Sequence, residues 1–434
     1  MNFAVHLRNS RGIRNTLSRA VTISKRFGIT PRKIEACLNT YVNITEKFNC
    51  IPTFPTTAIT LRRHPELIRK LRDRGVEFAI HGYVHTDYSK LSSKKQKRHL
   101  EKAIDIFKNC RIPFKGFRFP YLCKNRDSYQ TLISELKFLY SSNQLILWDV
   151  INKSKYGRQP LRTYSKVLDL YKPRNATEFL VLPRFKNGFV EIPLSAPDDE
   201  SIIDRLGITH ENEISEIWEE MLQETYRRGE LFTLQLHHER ISFCKHALKV
   251  ILQQARELNP SVWIATLREI AEWWKEKDKF TFEITEQNSE KYKINLKCLE
   301  RATVLVRNCK VNKPTSDWTN GYKSIDDRNF TTECSTRPFI GVEPDSSKDA
   351  ISFLRSEGFV VEESEQPNDY GIYFDNLADF EEKDEKKISE IIENSNAPLL
   401  RFWRWPNEAK SALAITGDID SITLIDFIMR LFRR

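Results

Sequence analysis

The sequence contains no long apolar run and no closely spaced cysteine pair. No stretch approaches the roughly 20 apolar residues that a membrane-spanning helix requires. The N-terminal stretch lacks the apolar core of a secretory signal, so we expect a cytoplasmic protein without a membrane span. The eight cysteines are dispersed and form no CxxC pair. In a reducing compartment we therefore expect mostly buried free thiols.

Signatures of nucleic-acid-binding modules are also missing. The chain has no zinc finger, no RNA-recognition signature and no dense Arg/Lys stripe with interleaved aromatic residues. The net charge of +10, from 69 basic and 59 acidic residues, is modest for 434 residues. We expect a basic surface without a nucleic-acid partner. The 40% apolar and 29% charged residues indicate a soluble globular protein.

A length of 434 residues predicts one large domain with either a substantial insertion or a second domain. Changes in composition and in the pattern of polar and apolar residues suggest four segments. They are 1–278, a β-rich segment 279–335, an α/β segment 336–406, and a final strand and helix at 407–434. In the first segment helices and strands alternate, which predicts a mostly parallel sheet or barrel. Its predicted elements are helices at about 11–47, 64–75, 92–110, 213–228 and 264–277, and strands at 50–58, 76–80, 114–122, 138–150, 189–199 and 230–240.

The remaining stretches give weaker signals. Residues 151–186 look loop-rich. Residues 280–308 alternate polar and apolar side chains, which predicts antiparallel strands. Residues 337–375 indicate strand, helix, strand and strand, and the charged stretch 379–387 indicates a solvated linker or a helix start.

The stretch VEFAIHGYVHTDY, residues 76–88, carries the strongest candidate site. Val76, Phe78 and Ile80 predict a buried strand, and Gly82 disfavours a helix through the histidines that follow. His81 and His85 would therefore lie just past the C-terminal end of a strand, where α/β barrels place their chemistry. Two imidazoles at this spacing can bind a divalent metal if a carboxylate or a third imidazole joins them. Alone, such a pair is more often two polar loop residues.

The stretch SALAITGDIDSITLIDFIMRL, residues 411–431, places two carboxylates in a similar position. An apolar run predicts a buried strand, and Asp418 and Asp420 follow it at alternate positions. This is again the strand-end placement of catalytic groups. The alternative is an Asp-rich turn that caps the following helix.

Four blocks together resemble the polysaccharide deacetylases of carbohydrate esterase family four. They are HGYVHTD (81–87), GFRFPY (116–121), LQLHHER (234–240) and ALAITGDID (412–420). TFP (53–55) and HPELIRKLRDRGVEFAIHG (64–82) resemble the same family's approach to its metal histidines. The resemblance covers about residues 25–274 plus the last strand and helix, and it implies a distorted (β/α) barrel of about seven strands.

The resemblance also implies roles for individual residues. A divalent metal, most often Zn²⁺, would be held by Asp420, His81 and His85. Asp418 would be the general base, and Arg118 would hold it in its ionised orientation.

Further roles follow from the other blocks. His237 would protonate the leaving amine, and the backbone amide near Tyr121 would help to bind the oxyanion. Tyr121, Tyr83 and Trp148 are the expected substrate contacts, and Trp148 with Asp149 is also a candidate for the family's pair that tunes the acid histidine. His238 stands where the family often has proline, and its role is open.

The order of the blocks departs from the family, in which the Asp-containing block opens the domain. Here it lies at the end of the chain. Either the last strand and helix return to fill the first slot of the barrel, as in a circular permutation with residues 280–406 inserted, or the chain stops inside a second, incomplete deacetylase unit.

These residues support one main functional hypothesis, a metal-dependent hydrolase that removes N-acetyl groups from amino sugars of a glycan or glycan precursor. Amide hydrolysis needs a nucleophilic hydroxide, a Lewis acid, charge stabilisation and a proton for the departing nitrogen. A hydrolase of a small non-sugar amide is one alternative. A catalytically silent glycan-binding or scaffold protein is another.

Overall fold

The computed structural model describes residues 23–122 apart from Lys25, residues 128–288 and residues 290–430. Residues 11–22 of the predicted N-terminal helical stretch, Cys123 and Leu431 lie outside the described residues. The seven described cysteines are free thiols, and three of them are buried. None of the described helices is both long and apolar enough to cross a membrane.

The described α-helices are numbered here in chain order. They are α1 (Arg32–Lys47), α2 (Ala58–Arg63), α3 (Pro65–Asp73), α4 (Ser93–Asn109), α5 (Ser128–Glu135), α6 (Arg158–Tyr171), α7 (Glu211–Arg228), α8 (Ile241–Glu257), α9 (Leu267–Lys277), α10 (Lys348–Ser356), α11 (Glu385–Asn394) and α12 (Leu424–Met429). A π-helix spans Glu200–Leu206.

The strands are numbered in the same way. Those of the first part are β1 (Thr53–Thr56), β2 (Glu77–Ile80), β3 (Gly116–Phe117), β4 (Tyr140–Ser141), β5 (Leu145–Leu147), β6 (Arg174–Asn175), β7 (Arg184–Lys186), β8 (Phe189–Glu191), β9 (Leu194–Ala196), β10 (Leu231–Gln235) and β11 (Val262–Ile264). Those of the later part are β12 (Thr281–Asn288), β13 (Lys291–Lys297), β14 (Ala302–Arg307), β15 (Lys310–Val311), β16 (Ser316–Asp317), β17 (Tyr322–Ser324), β18 (Asn329–Glu333), β19 (Arg337–Val342), β20 (Val361–Glu363), β21 (Tyr370–Phe374), β22 (Leu399–Pro406) and β23 (Ser411–Thr416).

The main sheet has the strand order β10–β23–β1–β2–β3–β4–β8–β7, and β11 also pairs with β23. All of these pairings are parallel except that of β7 with β8. The protein is therefore a mixed α/β protein with a curled sheet that resembles half a barrel. Pairings between described residues do not close this sheet into a complete barrel.

The strand near the end of the chain, β23, lies inside the main sheet. It pairs with β10 over residues 231–235 and 412–416, and Thr416 is paired with Thr53 of β1. All six residues of β23 are buried, as expected for a parallel strand covered on both faces. Just beyond it, the Gly417 amide donates to the carbonyl of Thr53 at 3.1 Å. The last part of the chain is thus hydrogen-bonded to the first.

The segment before β23 packs on the main part through tryptophans. The Trp405 ring of β22 contacts Trp263 and Trp274, and Trp273 donates to the carbonyl of Arg404 at 2.8 Å. Trp273 and Trp274 are thus packing residues. Because β22 directly precedes β23, this contact fixes the point from which β23 enters the sheet.

Residues 281–406 form three small sheets, with orders β12–β13–β18–β15, β16–β17–β14–β22 and β20–β19–β21. The antiparallel pairing of β12 with β13 agrees with the predicted pattern, but β14 belongs to a different sheet. The order β19, α10, β20, β21 is as predicted, and the three strands are parallel.

Two expectations were wrong, and for a third stretch one of two alternatives is confirmed. Residues 138–150 form two short strands of different sheets, β4 and β5, because the chain leaves the main sheet after Ser141. The stretch 379–387 contains the predicted helix start, since Glu385 begins α11, is 6% exposed and forms an ion pair with Arg184. Residues 151–186 are not mainly loop, since they contain the 14-residue helix α6.

Candidate active site

Four strands of the main sheet, with β1 between the second and the third of them, end at one cavity. His81 follows β2, Arg118 follows β3, His237 lies two residues beyond β10, and Asp418 lies two residues beyond β23. Because these strands are parallel, their C-terminal ends meet at one edge, where α/β proteins commonly place their sites. The sheet order therefore brings together residues that are more than 300 positions apart.

The two histidines and Asp420 lie close enough together to hold one metal ion. Nε2 of His81 is 3.3 Å from Oδ1 of Asp420, and Nε2 of His85 is 3.1 Å from its Oδ2. One nitrogen or oxygen from each residue lies within 4.8 Å of the others. Two imidazoles and one carboxylate are a donor set typical of zinc and related divalent metals.

The turn between the histidines requires glycine. Gly82 has a φ of 76°, and a Cβ there would lie 2.6 Å from the Tyr88 hydroxyl. Tyr88 is buried, and its hydroxyl accepts a hydrogen bond from the Tyr83 amide at 2.9 Å. Tyr88 therefore occupies the space that a side chain at position 82 would need.

The hydrogen bonds of His81 fit a metal at this position. Its Nδ1 lies 3.0 Å from the carbonyl of Arg118, so in the neutral ring Nδ1 carries the proton and Nε2 presents a lone pair. Oδ1 of Asp420, which faces this Nε2, is buried and makes no well-aligned hydrogen bond within the described part of the chain. Two acceptors that face each other in a buried site are stabilised by a cation between them.

A guanidinium lies on the other side of His85. Arg430 donates to Nδ1 of His85 and lies 3.2 Å from Oδ2 of Asp420. Burial and this guanidinium lower the pKa of His85 well below its usual value. Burial alone would raise the pKa of Asp420, but His85 and Arg430 hold it well below its usual value, so this carboxylate is ionised.

Asp418 is the second carboxylate of the site. Its Oδ1 accepts from Arg118 at 2.7 Å, and its Oδ2 accepts from Gln235 at 2.9 Å and lies 3.7 Å from Nε2 of His81. Arg118 is fully buried, and it also donates to the Ser142 carbonyl at 3.2 Å. The two donors fix the orientation of the Asp418 carboxylate.

His237 is held by a carboxylate that the sequence did not identify. Nδ1 of His237 lies 2.8 Å from Oδ1 of Asp199, and its amide donates to Oδ2 at 2.9 Å. Burial opposes the charge on His237, but Asp199 outweighs it and raises the pKa of His237 well above its usual value. The imidazolium form is therefore stabilised, as a proton donor requires.

The sequence analysis named Trp148 and Asp149 as candidates for the pair that tunes the acid histidine. In the structure, Asp199 is the carboxylate that contacts His237. The side chain of Asp149 is 65% exposed, whereas Asp199 is fully buried against His237. Trp148 is 2% exposed, lies in the apolar core, and has the guanidinium of Arg228 5.0 Å from its ring centre. The position of Asp199 at the end of a strand-like stretch, just after β9, was the available signal.

Of the three expected substrate contacts, only Tyr121 lines the cavity. The Tyr121 ring meets that of His85 edge-on, with ring centres 4.4 Å apart, and lines the cavity. Tyr83 packs against His99 instead and is not among the lining residues. His238 is buried and is not among the lining residues, and neither of its ring nitrogens makes a well-aligned hydrogen bond within the described part of the chain.

The cavity above these groups is small, at about 130 Å³. Its base carries the histidines and carboxylates. Its walls contain apolar side chains from four other regions of the chain, namely Phe119, Tyr121 and Leu122, then Leu145 of β5, then Val167, Leu168, Leu170 and Tyr171 of α6, and Phe427 of α12. The sequence analysis did not predict that α6 takes part.

Comparison with known families gives one match. Residues 31–138 match the model of the polysaccharide deacetylase family. This match confirms the family resemblance for a region that contains His81, His85 and Arg118. It ends before His237 and the two C-terminal carboxylates. No protein of curated function matches the chain significantly.

Comparison with solved structures gives similarities at low identity. A Mycobacterium smegmatis protein assigned to the polysaccharide deacetylases is 21% identical, with a TM-score of 0.42 over 55% of this chain and 76% of its own. A Puue allantoinase is 18% identical, and a Pseudomonas aeruginosa PAO1 protein assigned to the polysaccharide deacetylases is 19% identical. Both have a TM-score of 0.42 and cover 55% of this chain and 72% of their own.

Proposed function

We propose that the protein is a metal-dependent hydrolase that removes N-acetyl groups from amino sugars of a glycan or glycan precursor. Water adds to the acyl carbonyl, the C–N bond breaks, and the products are a free amine and acetate. One observation carries the proposal: a carboxylate held by Arg118 and an imidazolium held by Asp199 open into the same cavity as a metal-binding triad.

The triad of His81, His85 and Asp420 would hold the metal, most simply Zn²⁺. A bound divalent ion supplies Lewis-acid polarisation of the carbonyl and lowers the pKa of water. The chain itself supplies the base. Asp418 accepts the proton of the attacking water, and the hydrogen bonds from Arg118 and Gln235 keep its carboxylate aimed into the cavity.

The acid is His237. Its Nδ1 is turned to Asp199, so its Nε2 is the atom that delivers a proton to the leaving nitrogen. Asp199 is buried and ionised, since His237 and Arg240 lower its pKa against the opposing effect of burial. The acid thus has a partner of opposite charge that favours its protonated form, and the base is paired with the guanidinium of Arg118.

We also propose that the chain is a circularly permuted deacetylase, and not one complete and one incomplete unit. The pairing of β23 with both β10 and β1 supports this proposal, because it puts Asp418 and Asp420 beside the histidines of the same chain.

Metal content and acetate release test the proposed function together. The protein loaded with Zn²⁺, Co²⁺ or Ni²⁺ should release acetate from N-acetylglucosamine or its oligomers. Acetate release from none of these substrates by folded, metal-loaded protein would contradict the proposal. Hydrolysis of a small non-sugar amide instead would favour the first alternative, and glycan binding without turnover would favour a silent protein.

A further inference from the structure

Helix α6 forms one side wall of the catalytic cavity. Leu168 and Tyr171 of this helix line the cavity. The helix is anchored, since Tyr164 and Val167 are buried and Thr163 donates to the carbonyl of Arg205 in the π-helix at 3.3 Å. The wall is therefore part of the packed fold.

Helix α12 contributes Phe427 to the cavity lining, and Arg430, which directly follows this helix, lines the cavity as well. The helix is also anchored. Thr423 and Asp426 cap its first turn, and Asp426 accepts from Arg63 at 2.6 Å. The ring of Phe427 packs on that of Phe27, with centres 5.4 Å apart. Both helices therefore hold their lining side chains in fixed positions beside the catalytic groups.

The size of the pocket limits what enters it. Its volume of about 130 Å³ is below the roughly 300–1,000 Å³ of pockets that enclose drug-sized ligands. An internal residue of a glycan would need additional space for its two neighbours, and a pocket of this volume does not supply it.

We propose that the site acts only on a terminal N-acetylated sugar residue or on the free N-acetylated monosaccharide, and that α6 enforces this selectivity. The proposal rests on the proposed function and narrows its substrate class. The acyl amide enters the pocket end-on, with the apolar side chains of Leu168 and Tyr171 against the sugar face. A polymer whose two ends are blocked is excluded.

A chitin pentamer whose five residues can be told apart is the test substrate. Mass spectrometry then maps the position of each removed acetyl group. Loss of acetyl from one terminal residue only, or turnover of N-acetylglucosamine without turnover of the pentamer, is expected. Loss from internal residues at a comparable rate would overturn the proposal and leave the proposed function intact. No turnover of any substrate by metal-loaded protein would instead overturn the proposed function, and with it this proposal.

Variants of α6 give a second test. Leu168→Ala with Tyr171→Ala should open the wall and raise the ratio of internal to terminal deacetylation at least tenfold. Leu161→Ala, on the same helix but not in the cavity wall, is the control and should leave the ratio unchanged. A ratio that the double variant does not change, in protein that keeps its terminal activity, would remove α6 from substrate selection.

Discussion

Arg430 donates a hydrogen bond to Nδ1 of His85. A guanidinium can only donate, so in the neutral ring the proton lies on Nε2, which faces Oδ2 of Asp420 at 3.1 Å. A metal ion needs the lone pair of this Nε2, and the ring would then carry its proton on Nδ1. Nδ1–H and the Arg430 donor would then oppose each other. Metal binding and the contact between Arg430 and His85 are therefore mutually exclusive.

Replacement of Arg430 by Met is expected to tighten metal binding. Hydrogen bonds to charged groups contribute about 1.5–3 kcal/mol, and loss of such a competing contact predicts a Kd for Zn²⁺ about tenfold lower or more. Calorimetric titration against a competing chelator measures the effect. Arg32→Met, at an exposed position of α1, is the control. An unchanged or weaker affinity in Arg430→Met would contradict the competition.

Substitutions at Asp418 and His81 should separate turnover from metal binding. Asp418→Asn keeps the shape of the side chain but removes the base, so the rate of acetate release should fall by about 10²–10⁴-fold while the metal stays bound. His81→Ala removes a ligand and should abolish both. Metal content by elemental analysis and acetate release are measured on the same samples. Full activity in either variant would exclude that residue from the site.

Local sequence was sufficient to predict part of the site. His81 and His85 follow a short apolar strand bounded by Gly75 and Gly82, and this pattern lies within a dozen residues. The position of Asp420 could not be predicted in this way, because it depends on β23 pairing with strands that are about 180 and 360 residues earlier in the chain. Only the family resemblance suggested that pairing.

Helix α6 shows a signal that was present and missed. Tyr164, Val167, Leu168 and Tyr171 recur at the spacing i, i+3, i+4, i+7, which is typical of an amphipathic helix. The surrounding lysines, arginines and Pro160 obscured it, although proline is well tolerated in a first helical turn. Asp199 was missed for a different reason. An aspartate in a turn is common, and its contact with His237 depends on the packing of β9 beside β10.

The pair of His237 and Asp199 predicts a pH dependence. Asp199 raises the pKa of His237 in the folded state, so His237 stays protonated above its ordinary pKa of about 6.5. The stability that the pair contributes through His237 is fully present below that value and is lost as pH rises through the raised pKa. Asp199→Asn should lower the pKa of His237, and the alkaline limb of kcat/KM should move to lower pH. A limb that does not move would show that His237 is not the acid.

The buried pair of Arg118 and Asp418 predicts a coupled effect on stability. Arg118→Met leaves the Asp418 charge without its partner, and breaking a buried ion pair in this way costs about 3–5 kcal/mol. Addition of Asp418→Asn should recover part of this loss, because the unpaired charge is removed. Urea denaturation of the two single variants and the double variant measures the coupling. Simple additivity of the two losses would contradict the pairing.

A substitution at Gly417 tests whether β23 lies within the main sheet in solution. A Cβ at this position would lie 2.5 Å from the carbonyl oxygen of Leu236, a backbone atom of the neighbouring segment. Gly417→Ser must therefore push β23 away from β10, at a cost of about 1–3 kcal/mol, as for other overpacked sites. Because Gly417 directly precedes Asp418, the same shift should weaken metal binding at Asp420.

Gly157→Ser is the matched control for this substitution. A Cβ at Gly157 meets no atom within 4 Å, and the residue precedes α6 in an extended conformation, where serine is a favoured helix cap. The free energy of unfolding of the Gly157→Ser variant, measured in urea, should equal or slightly exceed that of the unsubstituted protein. If Gly417→Ser were as stable as Gly157→Ser and bound metal equally well, β23 would not lie against β10. The carboxylates would then not share a site with the histidines, and neither the base nor the third metal ligand would remain.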